Sequence, residues 1–145
     1  MASTYTVDAS VFLNAFNPYE LGHQESQRVL ADLQERAIPM IVPTLLVTEV
    51  AAAISRGRQD ESLARDYALA LRRLPHLMLI TLDETLACQA ASAAARHQLR
   101  GSDAVYAAVA LRFGSTLLTL DHEQRERLAG VLTVQTPAEA LGGSD

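Results

Sequence analysis

The sequence predicts an α/β fold: a single domain built on a five-stranded, mainly parallel sheet with helices on both faces. Three observations point there. Short β-branched or leucine-rich runs alternate with stretches of helical period along the whole chain. No Pro/Gly/Ser-rich linker, repeat or low-complexity segment interrupts that alternation. The length of 145 residues suits one domain, and 49% apolar with 20% charged residues is enough to bury one full core. Strands separated by helices imply right-handed crossovers, hence a parallel sheet covered on both sides. The domain is assigned to residues 1–141, with a short C-terminal tail over 142–145.

The elements follow in order. Tyr5 to Val7 reads as a short opening strand, followed by helical patterns over Ser10 to Phe16 and His23 to Arg36. Met40 to Val42, between Pro39 and Pro43, is the second strand, and the helices Leu45 to Arg56 and Glu61 to Leu74 come after it. Leu77 to Leu82 is the third, leading to helices Glu84 to His97 and Ser102 to Phe113. Thr116 to Leu120, entered through Gly114, is the fourth, followed by a helix over His122 to Leu128. Val131 to Val134, entered through Gly130, closes the series.

Composition excludes several chemistries. The apolar run Ala104 to Leu111 is far below the roughly 18 residues a membrane span requires, and no signal-like segment opens the chain, so no membrane contact and a cytoplasmic location are expected. The single cysteine, Cys88, has no partner for a disulfide or a zinc site and is expected to be a small core residue in an Ala-rich helix. All twelve basic residues are Arg. A P-loop, Schiff-base catalysis and the kinase lysine therefore fall away. A net charge of −5 looks wrong for a nucleic-acid binder.

In open parallel sheets, ligands gather outside the carboxyl ends of the strands. Asp8 follows the first strand and Asp121 the fourth, so both belong at that edge. Either also suits a helix N-cap. Glu49 lies in a helix where its neighbours Leu45, Leu46, Ala52 and Ala53 are all apolar; it escapes at the edge of that face or is held against the sheet. Asp103, after Gly101 and a capping Ser102, opens the most apolar helix of the chain, where it favours the helix dipole. The four converge if the first and fourth strands are neighbours. Carboxylates crowded within ~5 Å call for a cation, and an all-oxygen set favours Mg²⁺ or Mn²⁺ over zinc.

These residues carry a family pattern. Val7-Asp8-Ala9-Ser10, Pro43-Thr44-Leu45-Leu46-Val47-Thr48-Glu49, Ser102-Asp103-Ala104-Val105-Tyr106 and Leu118-Thr119-Leu120-Asp121, in that order, resemble the motifs of the PIN-domain nucleases, most closely the VapC toxins of bacterial toxin–antitoxin pairs. The resemblance covers nearly the whole chain. It implies a PIN-like domain whose acidic pocket binds Mg²⁺ or Mn²⁺ and hydrolyses RNA, a homodimer, and a small cognate antitoxin that covers the pocket. It further implies Asp8, Glu49, Asp103 and Asp121 as the catalytic and metal-binding set, with Ser10 and Thr119 as supporting hydroxyls.

Phosphodiester hydrolysis needs an activated water and neutralised phosphate charge, which carboxylate-held metal supplies. Asp8, Glu49 and Asp103 are the expected ligands, directly or through water, and Asp121 is a ligand or a water-orienting base. Setting the four acids aside leaves thirteen acids against twelve arginines, so the acidity is partly the site itself. Arg100 is the expected phosphate contact, ahead of Arg56, Arg58 and Arg96. His122, Glu123 and Glu126 read as solvated, and His97 as a surface residue. Rival sites fail on letters: Ser10 stands where a dehalogenase-type phosphatase needs its second Asp, Phe12 where an integrin-type metal site needs its second Ser, and a receiver domain needs a Lys. Two other functions remain open, a solitary PIN nuclease of RNA processing and a non-catalytic PIN-like binding module; a short upstream reading frame encoding an antitoxin separates the toxin from the solitary enzyme.

Overall fold

A computed structural model describes residues 3–142. Its elements are β1 (Tyr5–Val7), α1 (Ala9–Phe16), α2 (His23–Glu35), β2 (Met40–Pro43), α3 (Leu45–Arg58), α4 (Glu61–Arg72), β3 (Leu77–Ile80), α5 (Glu84–His97), α6 (Gly101–Phe113), β4 (Thr116–Leu118), α7 (His122–Leu128), β5 (Val134–Gln135) and α8 (Pro137–Gly142). The strands form one sheet in the order β3-β2-β1-β4-β5. Every pairing is parallel, with Tyr5 opposite Met40 on one side of β1 and Tyr5, Thr6 and Val7 opposite Thr116, Leu117 and Leu118 on the other. The first and fourth strands are thus neighbours.

Both faces of the sheet are covered. Successive strand residues point to opposite faces, yet Thr6 and Val7, Ile41 and Val42, and Leu117 and Leu118 are all buried. One face is closed by α6, which packs on β1, β2 and β4 and is itself covered by α5. Residues 103–110 of α6 are buried without interruption, which is why this helix has no polar stripe. It ends at Gly114, whose φ of +63° is the left-handed conformation that closes a helix and admits β4.

Several boundaries differ from the sequence reading, each for a local reason. The third strand stops at Ile80 because the chain turns at once, the Asp83 N–H bonding back to the Thr81 carbonyl. The fourth stops at Leu118, so Asp121 lies past the strand rather than at its end. Val131 and Leu132 belong to the turn out of α7, their N–H groups bonded to the Leu128 carbonyl, and the fifth strand is only Val134–Gln135. Ser102 is not the cap of α6; the helix starts at Gly101, with Arg100 in the cap position. Cys88 is exposed, because the buried stripe of α5 runs through Leu86, Ala90 and Ala93. The short helix α8, which packs on α2, was not anticipated. It is signalled by Thr136-Pro137-Ala138-Glu139, where Thr136 and Glu139 exchange side chain to backbone bonds of 2.8 and 3.1 Å. Gly142 ends α8, and the rest of the expected tail lies outside the described residues.

Candidate active site

The site begins with the parallel pairing of β1 and β4. Beyond the strands, the Asp8 N–H still bonds the Leu118 carbonyl at 2.9 Å, which brings the two strand exits side by side. Their side chains then interlock. Asp8 Oδ2 accepts from the Ser10 N–H at 3.1 Å and from the Thr119 hydroxyl at 3.3 Å. Ser10 Oγ accepts from the Leu120 N–H at 3.1 Å, and Thr119 Oγ1 accepts from the Asp121 N–H at 3.1 Å. Ser10 and Thr119 thus tie the start of α1 to the turn after β4. Asp8 and Asp121 also cap α1 and α7, Asp121 Oδ1 accepting from the Gln124 N–H at 3.0 Å. Capping and membership of the cluster coexist, since a carboxylate has two oxygens.

Glu49, on the first turns of α3, is half-buried. Its Oε1 accepts a 2.7 Å bond from the hydroxyl of Tyr106, a fully buried residue on α6. Sequence reasoning passed over Tyr106. The available signal was a lone aromatic hydroxyl in an Ala-rich helix, three residues after Asp103 and so on the same face.

Asp103, on the first turn of α6, is buried and accepts from Arg100 Nε at 3.1 Å through Oδ2. A terminal nitrogen of the same guanidinium bonds Asp121 Oδ2. Arg100 therefore forks between two of the acids, and its place inside the cluster was not foreseen.

Asp8, Glu49 and Asp103 each feel the charge of other acids in the set. Burial, chiefly, pushes Asp8 above the usual carboxylate range, with Asp121 adding to it. Burial also raises Glu49, with Asp8 and Asp103 contributing, and raises Asp103, with Asp121 and Asp8 contributing. Hydrogen bonds from Ser10, Tyr106 and Arg100 oppose these shifts without cancelling them. Tyr106 is raised by burial and then by the Glu49 charge, so it stays protonated and donating. As placed, the side chains form no ready cage: among the described residues no group of three or more His, Cys, Asp or Glu side chains could hold a metal ion. The donor chemistry nevertheless fits a hard divalent cation, because every donor is a carboxylate or hydroxyl oxygen and the acids are short of positive charge.

The remaining sequence candidates lie elsewhere. Arg56 and Arg96 are exposed helix-end residues, and Arg58 sits 6.0 Å from the Phe16 ring centroid. His122 pairs with Glu126 and Glu123 with Arg127 on the exposed side of α7, as solvated residues do. His97 is partly exposed in the last turn of α5.

An all-parallel sheet with carboxylates gathered at the exits of its adjoining strands β1 and β4 defines an α/β protein with an acidic edge site. The PIN domain family profile matches residues 5–129, and the chain belongs to that family. No curated protein matches it in sequence. Among solved structures the fold is similar to that of VapC20 from Mycobacterium tuberculosis, described as a sarcin-ricin loop cleaving toxin, with a TM-score of 0.71 at 19% identity over 85% of this chain and 94% of that one. A toxin–antitoxin complex from Klebsiella pneumoniae matches with a TM-score of 0.66 at 20% identity, over 93% of this chain and 98% of the other. VapBC2 from Rickettsia felis, bound to a promoter DNA fragment, matches with a TM-score of 0.69 at 14% identity, over 92% and 98%.

Proposed function

We propose that the chain is a metal-dependent endoribonuclease and the toxin of a toxin–antitoxin pair. The observation that carries this reading is the meeting of Asp8, Glu49, Asp103 and Asp121, from four separate segments, around one arginine at the carboxyl edge of the sheet. Unrelated capping residues have no reason to gather from four segments at one edge. Membership of the PIN domain family and likeness to structures described as toxins support it.

Asp8, Glu49 and Asp103 would hold Mg²⁺ or Mn²⁺, directly or through water, with Asp121 as a further ligand or as the base that orients the attacking water. When bound, the ion supplies positive charge to the phosphate and makes water acidic enough to attack at neutral pH. The protein's own residues do the positioning. Thr119 and the Ser10 N–H fix the Asp8 carboxylate, the Tyr106 hydroxyl fixes Glu49, and Arg100 lies where an RNA phosphate would meet the acids. The surrounding surface is close to charge-balanced, so a net charge of −5 does not oppose RNA binding once the site acids are neutralised. A homodimer and a cognate antitoxin complete the reading.

Incubating the purified protein with a labelled RNA pool in Mg²⁺, Mn²⁺ or EDTA tests it. Cleavage should require the metal and be abolished by Asp8→Ala, Glu49→Ala or Asp103→Ala. Activity surviving any two of these changes would remove the site. Sedimentation as a dimer and co-purification with the product of an adjoining short reading frame are expected for the toxin.

A further inference from the structure

The guanidinium of Arg100 occupies carboxylate oxygens that a divalent cation would need. Its Nε donates to Asp103 Oδ2 at 3.1 Å, and one terminal nitrogen bonds Asp121 Oδ2, so a single side chain spans an acid on α6 and an acid on the turn after β4. Both targets belong to the acidic set, and Asp121 receives its arginine bond on Oδ2 while its Oδ1 caps α7. The backbone beneath is well fixed. Arg100 is extended at the cap of α6, and Arg127 on α7 donates to the Gln98 carbonyl at 3.1 Å, tying α7 to the preceding loop. The side chain itself is not fixed by packing, being 62% exposed. Its departure from the acids opens no cavity, and water takes up the charge.

We infer that Arg100 is a built-in counter-ion of the site: it pairs with Asp103 and Asp121 in the metal-free protein, competes with the divalent cation for them, and is released toward the RNA phosphate when the cation binds. The inference rests on the metal-dependent reading and adds to it an exchange within the chain. A guanidinium and a metal ion both satisfy the same carboxylate charge, so each weakens the other's hold. Arginine suits the task because its planar fork reaches two acids at once and stays charged at any working pH. The freed fork then carries two or more N–H donors to the mouth of the pocket, where a phosphate diester presents acceptor oxygens.

The test is Mn²⁺ binding measured by calorimetry on the intact protein, together with melting temperature in EDTA. Arg100→Gln and Arg100→Ala should bind Mn²⁺ about threefold to tenfold more tightly than wild type, the range that losing two partly exposed ion pairs allows. Both should also melt lower in EDTA and gain more from added Mn²⁺. Arg100→Lys, which keeps the charge and loses the fork, should fall between. Arg112→Gln, which alters an arginine paired with Gln89 on the neighbouring helix, should match wild type. Equal or weaker Mn²⁺ affinity in Arg100→Gln and Arg100→Ala, with wild type binding normally, would overturn the counter-ion role and leave the metal site standing. Failure of wild type and both variants alike to bind Mn²⁺ would overturn the role and the site together.

Discussion

Asp8 shows how one residue serves structure and chemistry without choosing between them. It caps α1 and meets Asp121 and Glu49 at the same edge. Burial raises its pKa, so the folded metal-free protein holds the proton more tightly than the unfolded chain. That contribution favours the fold below the ordinary carboxylate pKa and is lost as pH rises through the folded value. Asp8→Asn keeps the cap and removes the charge, and it is expected to raise the metal-free melting temperature at neutral pH by a few degrees, the shift that ~1 kcal/mol produces in a domain of this size. The gain should shrink as pH is lowered through the raised titration range of Asp8, where wild type takes up the proton as well. Scanning fluorimetry in EDTA across pH reads both effects, and a gain that grows on acidification would contradict the buried-acid reading. Tyr106→Phe tests the second acid. The Tyr106 bond lowers the Glu49 pKa, so its loss should move the acid limb of the RNA-cleavage pH profile upward and cost about 1–3 kcal/mol of stability. An unmoved acid limb would make Tyr106 a packing residue only. At this scale Asp8, Asp103 and Asp121 were legible in the sequence, because strand exits and helix starts fix their positions, whereas the apolar neighbours of Glu49 left two placements open. Tyr106 was not legible, and Arg100 was read as a phosphate contact without its pairing to Asp103 and Asp121, because a hydroxyl donor to a distant helix and a guanidinium spanning two acids leave no local pattern.

Helix α6 has a burial that single-residue reading understates. Ala107 is fully buried between the sheet and α5. Ala107→Leu should cost about 1–3 kcal/mol by overpacking, read as a lower denaturation midpoint. The same helix ends on Gly114 at φ +63°, with the Ser115 N–H bonded to the Ala110 carbonyl. A Cβ there meets open space, so Gly114→Ala should cost only the backbone strain, about 1 kcal/mol. A much larger loss would mean that the turn into β4 depends on more than the left-handed residue. Periodicity and capping letters located nearly all the elements. Ends shifted where the ladder thins, as at Thr119, whose N–H still bonds the Gln135 carbonyl while its hydroxyl serves Asp8 and Asp121. Six-residue α8 carries too few turns for a period to register, although its capping pair is written in the sequence. Cys88 went to the wrong face because an Ala-rich helix gives little contrast between its sides.

For the molecule as a whole, strand order decides whether the acids meet. Alternating strands and helices dictate a parallel sheet, but they do not say which strands adjoin, because pairing of β1 with β4 is a contact between residues about 110 positions apart. The observed order sets β1 between β2 and β4, so the segments that follow these three strands, and the start of α6 that lies over them, bring Asp8, Glu49, Asp121 and Asp103 to one edge. That edge concentrates negative charge which Arg100 only partly offsets. A cation that binds the native state alone stabilises it, and the stabilisation should depend on every acid that contributes. The most direct measurement is the Mn²⁺-induced rise in melting temperature, relative to EDTA, for wild type and for Asp8→Asn, Glu49→Gln, Asp103→Asn and Asp121→Asn. The rise should be largest in wild type and clearly smaller in each variant, even where the variant itself melts higher in EDTA. Rises of equal size in wild type and all four variants would show that these carboxylates do not form one metal site.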